Sequence, residues 1–234
     1  MTRANALTHW HAGMHCCNPR WEHAYGKFES PDEERSKFPQ RFRQMGFEDL
    51  DRNLTVVDLF CGRGNGLRAL QEMGFRNLTG VDLSPSLLHQ APQEAHRIVA
   101  DCTALQFDPE SVDVFVVQGG LHHLPDLSTN LPRCLDEISR SLASSGLFCA
   151  VEPWDTLFLR GVHWVSANKL LRARIKKFDA FATMVEEEQA TYLAWLSSAA
   201  FVRSEVECRF NPKMNRFGWG KWMFVGGKQS RETS

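Results

Sequence analysis

From Leu54 onward, apolar runs of strand length alternate with segments of helical period. The apolar runs are LTVVDLF, LTGVD, RIVAD, VDVFVVQ and LFCAVE, and helical patterns such as GLRALQEM and LPRCLDEISRSL lie between them. Nearly continuous apolar strands joined by helices are typical of a parallel sheet that is covered on both faces. The pattern therefore predicts one α/β domain over residues 53–230.

The segments on either side of this pattern carry no further parallel strands. Residues 1–52 predict an N-terminal helical extension that starts near Ser30 and stops near Gly46, with Pro39 kinking or restarting the helix. Residues 155–200 have helical periodicity and predict an insertion after the fifth strand. VRSEVECRF and KWMFVGG then predict an antiparallel hairpin, which completes a seven-stranded, mostly parallel sheet.

Composition and charge exclude several classes of protein. The 234 residues are 43% hydrophobic and 24% charged, as in globular proteins. The net charge of −1 does not indicate the basic surface that is typical of nucleic-acid-binding proteins. No apolar stretch is long enough to predict a membrane span, and MTRANALTHW does not look like a secretion signal. The seven cysteines lack framework spacing, which favours reduced thiols and a cytoplasmic protein.

The most specific motif is VVDLFCGRGNG, residues 56–66, which lies between a strand and a helix. Glycines in such a turn let a ligand approach the backbone and its exposed amides. Asp82 ends the next strand, at the position from which a carboxylate accepts hydrogen bonds from ribose hydroxyls, and Asp101 ends the third. GRGNG lacks the G-x-G-x-x-G spacing of a dinucleotide dehydrogenase, so that alternative is disfavoured.

These residues resemble the class I S-adenosylmethionine-dependent methyltransferases, specifically the small-molecule type 11 group, from Leu54 to Val151. Phe60 stands where the family pattern has its first glycine, and DLFCG is common in some nucleic-acid methyltransferases. Those enzymes usually carry NPPY-like or Pro-Cys motifs after the fourth strand, where this chain has QGGLHHLPD, Gln118 to Asp126. The resemblance implies S-adenosylmethionine as cofactor, bound by Asp58, Phe60, Gly62, Gly64, Gly66, Asp82, Leu83, Asp101, Cys102 and Gln118.

Three side chains after the fourth and fifth strands are candidates for catalysis. His122 and His123 face the edge at which doubly wound sheets bind ligands, and a histidine can take a proton from an attacking hydroxyl or amine. The alternative is that the two histidines only shape the loop. Glu152 ends the fifth strand and is predicted either to contact the substrate or to hold the loop after it.

The expected reaction is methylation of an oxygen, nitrogen or carbon atom of a small or lipid-like metabolite. Residues 160–177 include Lys169, Arg172, Arg174, Lys176 and Lys177 and no acidic residue, so they allow three alternatives: an anionic substrate, RNA methylation, or contact with a membrane surface that carries a lipid substrate. A solvated helix face is the ordinary explanation, and a nucleic-acid partner is not expected. A non-catalytic S-adenosylmethionine-binding protein is a further alternative.

The segment HWHAGMHCC gathers His9, His11, His15, Cys16 and Cys17 within nine positions. Zinc sites usually take their ligands from separated pairs, and the chain has no second pair with such spacing. Residues 1–52 have the place and length of a lid over cofactor and substrate. The segment is therefore predicted to belong to that lid, and no metal site is predicted.

Overall fold

The structure is a computed structural model, and it describes residues 6–10, 31–166 and 176–229. The strands are β1 (Thr8–His9), β2 (Thr55–Leu59), β3 (Asn77–Asp82), β4 (His96–Val99), β5 (Val112–Gln118), β6 (Leu142–Pro153), β7 (Phe210–Gly218) and β8 (Lys221–Lys228). The helices are α1 (Pro31–Gln44), α2 (Asn65–Glu72), α3 (Pro85–Leu88), α4 (Leu127–Ser141), α5 (Leu157–Ser166), α6 (Lys176–Glu187), α7 (Gln189–Ser197) and α8 (Ala199–Glu207). Single 3₁₀ turns lie at Phe47–Asp49 and Leu121–His123.

The strands form one sheet in the order β1-β4-β3-β2-β5-β6-β8-β7. Strands β1 to β6 pair in parallel, whereas β8 runs antiparallel to β6 and β7 runs antiparallel to β8. The prediction of an α/β, Rossmann-like fold with a C-terminal antiparallel hairpin is confirmed. Because β2 to β6 are parallel, the loops that follow them meet at one edge of the sheet.

Helices cover both faces of this sheet. On one face, Leu131 of α4, Trp195 of α7 and Val202 of α8 are buried against strand residues such as Phe115. On the other face, α1 and the turn after it contribute Phe42 and Phe47, which pack with residues of α2. The part of the N-terminal extension that carries Phe42 and Phe47 is therefore in the core, and α1 lies next to α2, the helix that follows the glycine turn.

The expected start of the hairpin is wrong. VRSEVECRF was predicted to be a strand, but residues 199–207 form α8, and β7 starts at Phe210. Val202 and Val206 are both buried, and their spacing of four residues is the period of a helix rather than of a strand. Helices of the insertion consequently extend to Glu207, beyond the predicted limit of about residue 200.

Two further details differ from the sequence-based predictions. The described sheet has eight strands rather than seven, because the two-residue strand β1 adds to β4; so short a strand has no pattern that a sequence could show. Pro39 lies within α1, which runs on to Gln44. The predicted end of this helix is confirmed, because Gly46 adopts a left-handed backbone with φ of 84° just after it.

Among the described residues, no helix is long and apolar enough to cross a membrane.

Candidate active site

The glycine turn reverses the chain sharply between β2 and α2. Phe60, Gly62 and Gly64 have φ of 58°, 52° and 74°, in the left-handed region that favours glycine. Phe60 thus has a backbone conformation that glycine favours, although it carries a side chain. Its ring takes the space beside Gly120, where an added Cβ would lie 2.3 Å from the Phe60 ring. The turn after β2 and the loop after β5 are consequently in direct contact.

Only glycine fits at positions 64 and 66, because a larger residue would clash with neighbouring groups. A Cβ on Gly64 would lie 2.7 Å from the side chains of both Ala91 and Pro92, so the turn packs tightly against the segment before β4. A Cβ on Gly66 would lie 2.5 Å from Oδ2 of Asp58. The lack of side chains at both positions therefore lets the start of α2 pack closely against the segment before β4 and against a buried carboxyl group.

Asp58 is that buried carboxyl group, within β2. Burial, with a further contribution from the charge of Asp82, raises the pKa of Asp58 from 3.8 to about 8. A carboxyl group with so high a pKa is neutral at moderate pH unless a cation comes close. The site is therefore prepared to receive positive charge.

Asp82 holds the glycine turn from the end of β3. Its Oδ2 accepts a hydrogen bond from the Gly62 amide at 2.8 Å, and its Oδ1 accepts one from the Ser84 amide at 2.8 Å. Ser84 in turn caps α3, because its hydroxyl accepts from the Leu87 amide at 3.2 Å. Leu83, between these residues, is half-buried. The carboxylate therefore ties the ends of β2 and β3 together while remaining partly open to solvent.

Asp101 and Cys102 follow β4, but their side chains have different surroundings. Asp101 is half-buried, and its Oδ1 accepts a hydrogen bond from the Thr103 amide at 2.8 Å. The Cys102 thiol lies in the core, where a hydrogen bond with Cys134 and burial raise its pKa. Only the backbone of Cys102 is therefore available to a ligand.

Gln118 ends β5 and links the site to the N-terminal extension. Its Oε1 accepts a hydrogen bond from Nη1 of Arg41 in α1 at 3.3 Å. Its Nε2 is buried and has no hydrogen-bond partner among the described residues. A buried amide without an acceptor is costly, so this nitrogen is available to donate to a ligand.

Glu152 holds the loop after β5 by three contacts. Its Oε1 accepts hydrogen bonds from the amides of Gly120 at 2.8 Å and Leu121 at 2.9 Å, and its Oε2 lies 2.8 Å from Nδ1 of His122. Its side chain is fully buried. A carboxylate at this position therefore fixes both the backbone of the loop and the orientation of the His122 ring.

His122 and His123 lie side by side with their ring centres 4.0 Å apart, yet their surroundings differ. Burial and the neighbouring His123 lower the pKa of His122, despite its contact with Glu152. Burial also opposes the charging of His123, but the hydrogen bond and charge of Glu188, whose Oε1 lies 2.6 Å from Nδ1, raise its pKa overall. Near neutral pH, His122 is therefore the neutral ring and His123 the one more readily protonated.

The sequence analysis did not identify Glu188 and Tyr192, which the insertion brings to the histidines. The Tyr192 ring lies edge-on to His122 with a centroid distance of 5.8 Å, and burial raises the pKa of the Tyr192 hydroxyl well above its usual range. Tyr192 and Trp195, three residues apart on α7, are both buried, and this helical spacing was the available signal. Glu188 belongs to an acidic run that predicts only a solvated face.

Metal binding at the histidines is not needed to explain their geometry. His122, His123 and Glu188 each offer one donor atom, and these atoms lie within 4.8 Å of one another. The short contact between His123 and Glu188 is accounted for by an ion pair, so we assign no metal here. In HWHAGMHCC, His9 lies in β1 and Trp10 packs on Phe107 at 4.8 Å between ring centres, whereas residues 11–17 lie outside the described residues.

The sheet order, the glycine turn and the acidic strand ends together define the class I methyltransferase fold. A family model described as "Methyltransferase domain" matches residues 57–150. No curated protein sequence matches the chain significantly.

Similar solved structures show the same fold. A Pyrococcus horikoshii protein is 16% identical, with a TM-score of 0.67 over 91% of this chain and 100% of its own. The protein bound to the Trm112 methyltransferase activator in a Haloferax volcanii complex is 16% identical, with a TM-score of 0.63 over 92% and 98%. A SAM-dependent methyltransferase from Methanosarcina mazei is 18% identical, with a TM-score of 0.52 over 78% and 95%.

At these identities the likeness shows the fold alone, and the family match adds the class of activity. The methyltransferase domain matched at residues 57–150 and the shared fold indicate an S-adenosylmethionine-dependent methyltransferase, as the strand ends predicted.

Proposed function

We propose that this chain transfers the methyl group of S-adenosylmethionine to an oxygen, nitrogen or carbon atom of a small or lipid-like metabolite, with His122 as the general base. The observation that carries the proposal is the His122–Glu152 pair, in which Nδ1 and Oε2 are 2.8 Å apart. The pair lies at the sheet edge where the glycine turn also ends. In this proposal Glu152 serves the site by positioning His122.

The residues around the glycine turn fit the cofactor. Its sulfonium and ammonium groups are cationic, and Asp58 is a buried acid whose pKa of about 8 would fall next to a cation. Gly66 brings the backbone at the start of α2 next to this acid, since an added Cβ would lie 2.5 Å from Oδ2 of Asp58. Asp82 would hold the ribose, as the family pattern implies, while Asp101, the Cys102 backbone and Gln118 Nε2 would face the rest of the adenosine. Phe60, Gly62, Gly64 and Leu83 would line the same cavity.

The chemical step needs little more than alignment. When bound, S-adenosylmethionine supplies an electrophilic methyl group, so the protein has to orient the acceptor and exclude water. His122 would take the proton from an acceptor hydroxyl or ammonium, because its lowered pKa keeps it neutral at pH 7. His123, with its raised pKa, would stabilise negative charge on the acceptor.

Two segments of the chain would cover such a site: the N-terminal extension and the helical insertion. The extension over residues 1–52 would act as a lid, since Phe38 of α1 lies 3.4 Å from a Cβ placed on Gly66. The insertion over about residues 155–200 would cover the acceptor, because it supplies Glu188 and Tyr192. Aromatic and apolar side chains at this edge favour a small or lipid-like acceptor. RNA has less support among the described residues, because Arg160 is paired with Asp155 at 2.6 Å.

The test combines transfer of a deuterated methyl group into fractionated metabolite and lipid extracts with the pH dependence of the single-turnover rate. His122→Ala should lower the rate by about 10² to 10⁴ while the affinity for S-adenosylhomocysteine is unchanged. The wild-type rate should rise with pH through a pKa below that of free histidine, because only the neutral ring accepts a proton. The exposed His89 provides the control, since His89→Ala should keep both rate and profile.

The outcomes of this test separate the possible roles. A normal rate and profile in His122→Ala would make the histidines loop-shaping residues and overturn the base assignment. Loss of activity in His123→Ala alone would move the base to His123. Methyl transfer only to RNA would overturn the acceptor class.

A further inference from the structure

Large apolar side chains are exposed at the β7–β8 turn and at the start of α5. Among the described residues, Leu157, Phe158, Phe217 and Trp219 are 85%, 50%, 43% and 78% exposed. The rings of Phe158 and Trp219 meet edge-on at 5.5 Å, so the two segments form one surface. Exposed patches of this kind usually bind something. These four residues are called the docking surface below.

The backbone holds Trp219 outward in a conformation that tryptophan rarely adopts. Its φ is 51°, and Gly220 follows with φ of 75°. Contacts enforce this turn, because Trp154 donates its amide hydrogen to the Gly220 carbonyl at 2.9 Å, and a Cβ on Gly220 would lie 3.4 Å from Leu159. Asparagine would adopt a left-handed backbone more readily. A strained turn that exposes an indole ring to solvent indicates that the ring has a function.

The docking surface lies at the same edge of the sheet as the histidines. Lys221, the first residue of β8, pairs with Pro153 at the end of β6 and with Gly218 at the end of β7. The turn between β7 and β8 is therefore level with the loop after β5. Three strand spacings separate β5 from β7, or about 14 Å. A molecule held at this surface would be close to the proposed acceptor site.

Charge around the surface decides which partner fits it. Arg216 is exposed beside Phe217, and Arg203 lies over the Phe217 ring at 5.6 Å. Arg160 and Arg203 are paired with acids, so among the described residues the excess positive charge beside the docking surface comes from Arg216. Exposed tryptophan with nearby basic residues is typical of proteins that bind anionic membranes.

We propose that Leu157, Phe158, Phe217 and Trp219 dock this protein on an anionic lipid bilayer, with Trp219 entering the headgroup region. A second copy fits less well, because pairing two such surfaces would bring their basic residues together. The proposal concerns attachment rather than chemistry, so it does not depend on the acceptor or on the role of His122. It would nevertheless deliver a lipid-like acceptor to the catalytic edge.

The experiment is co-sedimentation of the full-length protein with vesicles of phosphatidylcholine alone or with about one-third phosphatidylglycerol, at up to about 1 mM lipid. Wild type should bind the anionic vesicles, more weakly at high salt, and barely bind phosphatidylcholine alone. Trp219→Asn should lower the partition coefficient by about tenfold or more, and Phe158→Ser should lower it in the same direction. Asparagine tolerates the left-handed backbone, so Trp219→Asn should fold.

Leu193→Ser is the matched control, because Leu193 is a 49% exposed apolar residue outside the docking surface. It should bind vesicles like wild type, and all three variants should bind S-adenosylhomocysteine normally. Quenching by brominated lipids should be reduced in Trp219→Asn, which places Trp219 in the bilayer. Absent binding to anionic vesicles, or equal binding by wild type and Trp219→Asn, would overturn the proposal. A dimer that Trp219→Asn dissociates would assign the surface to a second copy instead.

Discussion

Replacement of Glu152 tests how the loop that carries His122 is held. In Glu152→Ala, three buried donors lose their acceptor: the amides of Gly120 and Leu121 and Nδ1 of His122. Each unsatisfied buried donor costs about 1–3 kcal/mol. The three donors surround the cavity that the shortened side chain leaves, and they relax together, so we expect a total loss of about 3–5 kcal/mol. This loss is a large part of the ~5–15 kcal/mol free energy of unfolding of a typical domain.

Glu152→Gln separates the three contacts. Its side-chain oxygen can still accept from the amides of Gly120 and Leu121, whereas its NH₂ group cannot accept from Nδ1–H of His122. The expected loss is about 1–2 kcal/mol. As control, Glu48→Gln alters an exposed carboxylate that accepts from Arg43 at 3.0 Å and should change stability by less than about 0.5 kcal/mol.

The assay is urea unfolding at pH 7.5, followed by circular dichroism and tryptophan fluorescence so that the two-state assumption is checked. The losses should follow the order Glu152→Ala, Glu152→Gln, Glu48→Gln. Equal losses for the two Glu152 variants would refute the hydrogen-bond argument, because the charge alone would then matter. A Glu152→Ala protein as stable as wild type would refute the claim that the contacts hold the loop.

Three further predictions concern the glycine turn and its acids. Asp82→Ala should weaken S-adenosylhomocysteine binding in calorimetry by about 1.5–3 kcal/mol, through loss of ligand contacts and of the support for the Gly62 amide. Gly64→Ala should cost about 1–3 kcal/mol more than Gly46→Ala in urea unfolding, because both residues have positive φ but only Gly64 has neighbours within 4 Å of an added Cβ. Asp58 has a pKa of about 8 in the folded protein against an ordinary value of 3.8, so the stability of the ligand-free protein should fall as pH rises between these values, and Asp58→Asn should flatten that fall.

Each of these predictions has a contrary outcome. Unchanged affinity in a folded Asp82→Ala protein would remove Asp82 from the cofactor site. Equal destabilisation by the two glycine substitutions would mean that the clash with Ala91 and Pro92 relaxes without cost. A wild-type stability profile that matches Asp58→Asn from pH 4 to pH 8 would show that the Asp58 carboxyl group ionises normally.

The sequence alone determined the α/β class, most of the sheet and which acidic residues follow its strands. Strand runs, helical periods and the glycine turn are local features, since a few neighbouring residues decide them. In a parallel sheet, any residue that ends a strand comes to the same edge, so Asp82, Asp101 and Gln118 could be placed at one edge of the sheet without coordinates. The same local logic failed at residues 202–210, where the apolar residues of a helix were interpreted as those of a strand.

Only the tertiary structure decided which groups act on one another. Arg41 and Gln118 are 77 positions apart, and the insertion brings Glu188 and Tyr192 to the two histidines. Glu152 could be placed at the ligand edge from sequence, but its three contacts could not. Such contacts depend on how distant segments pack, and the opposite pKa shifts of His122 and His123 follow from burial and from partners on other elements. No local pattern carries that information, because the partners are neighbours only after the chain has folded.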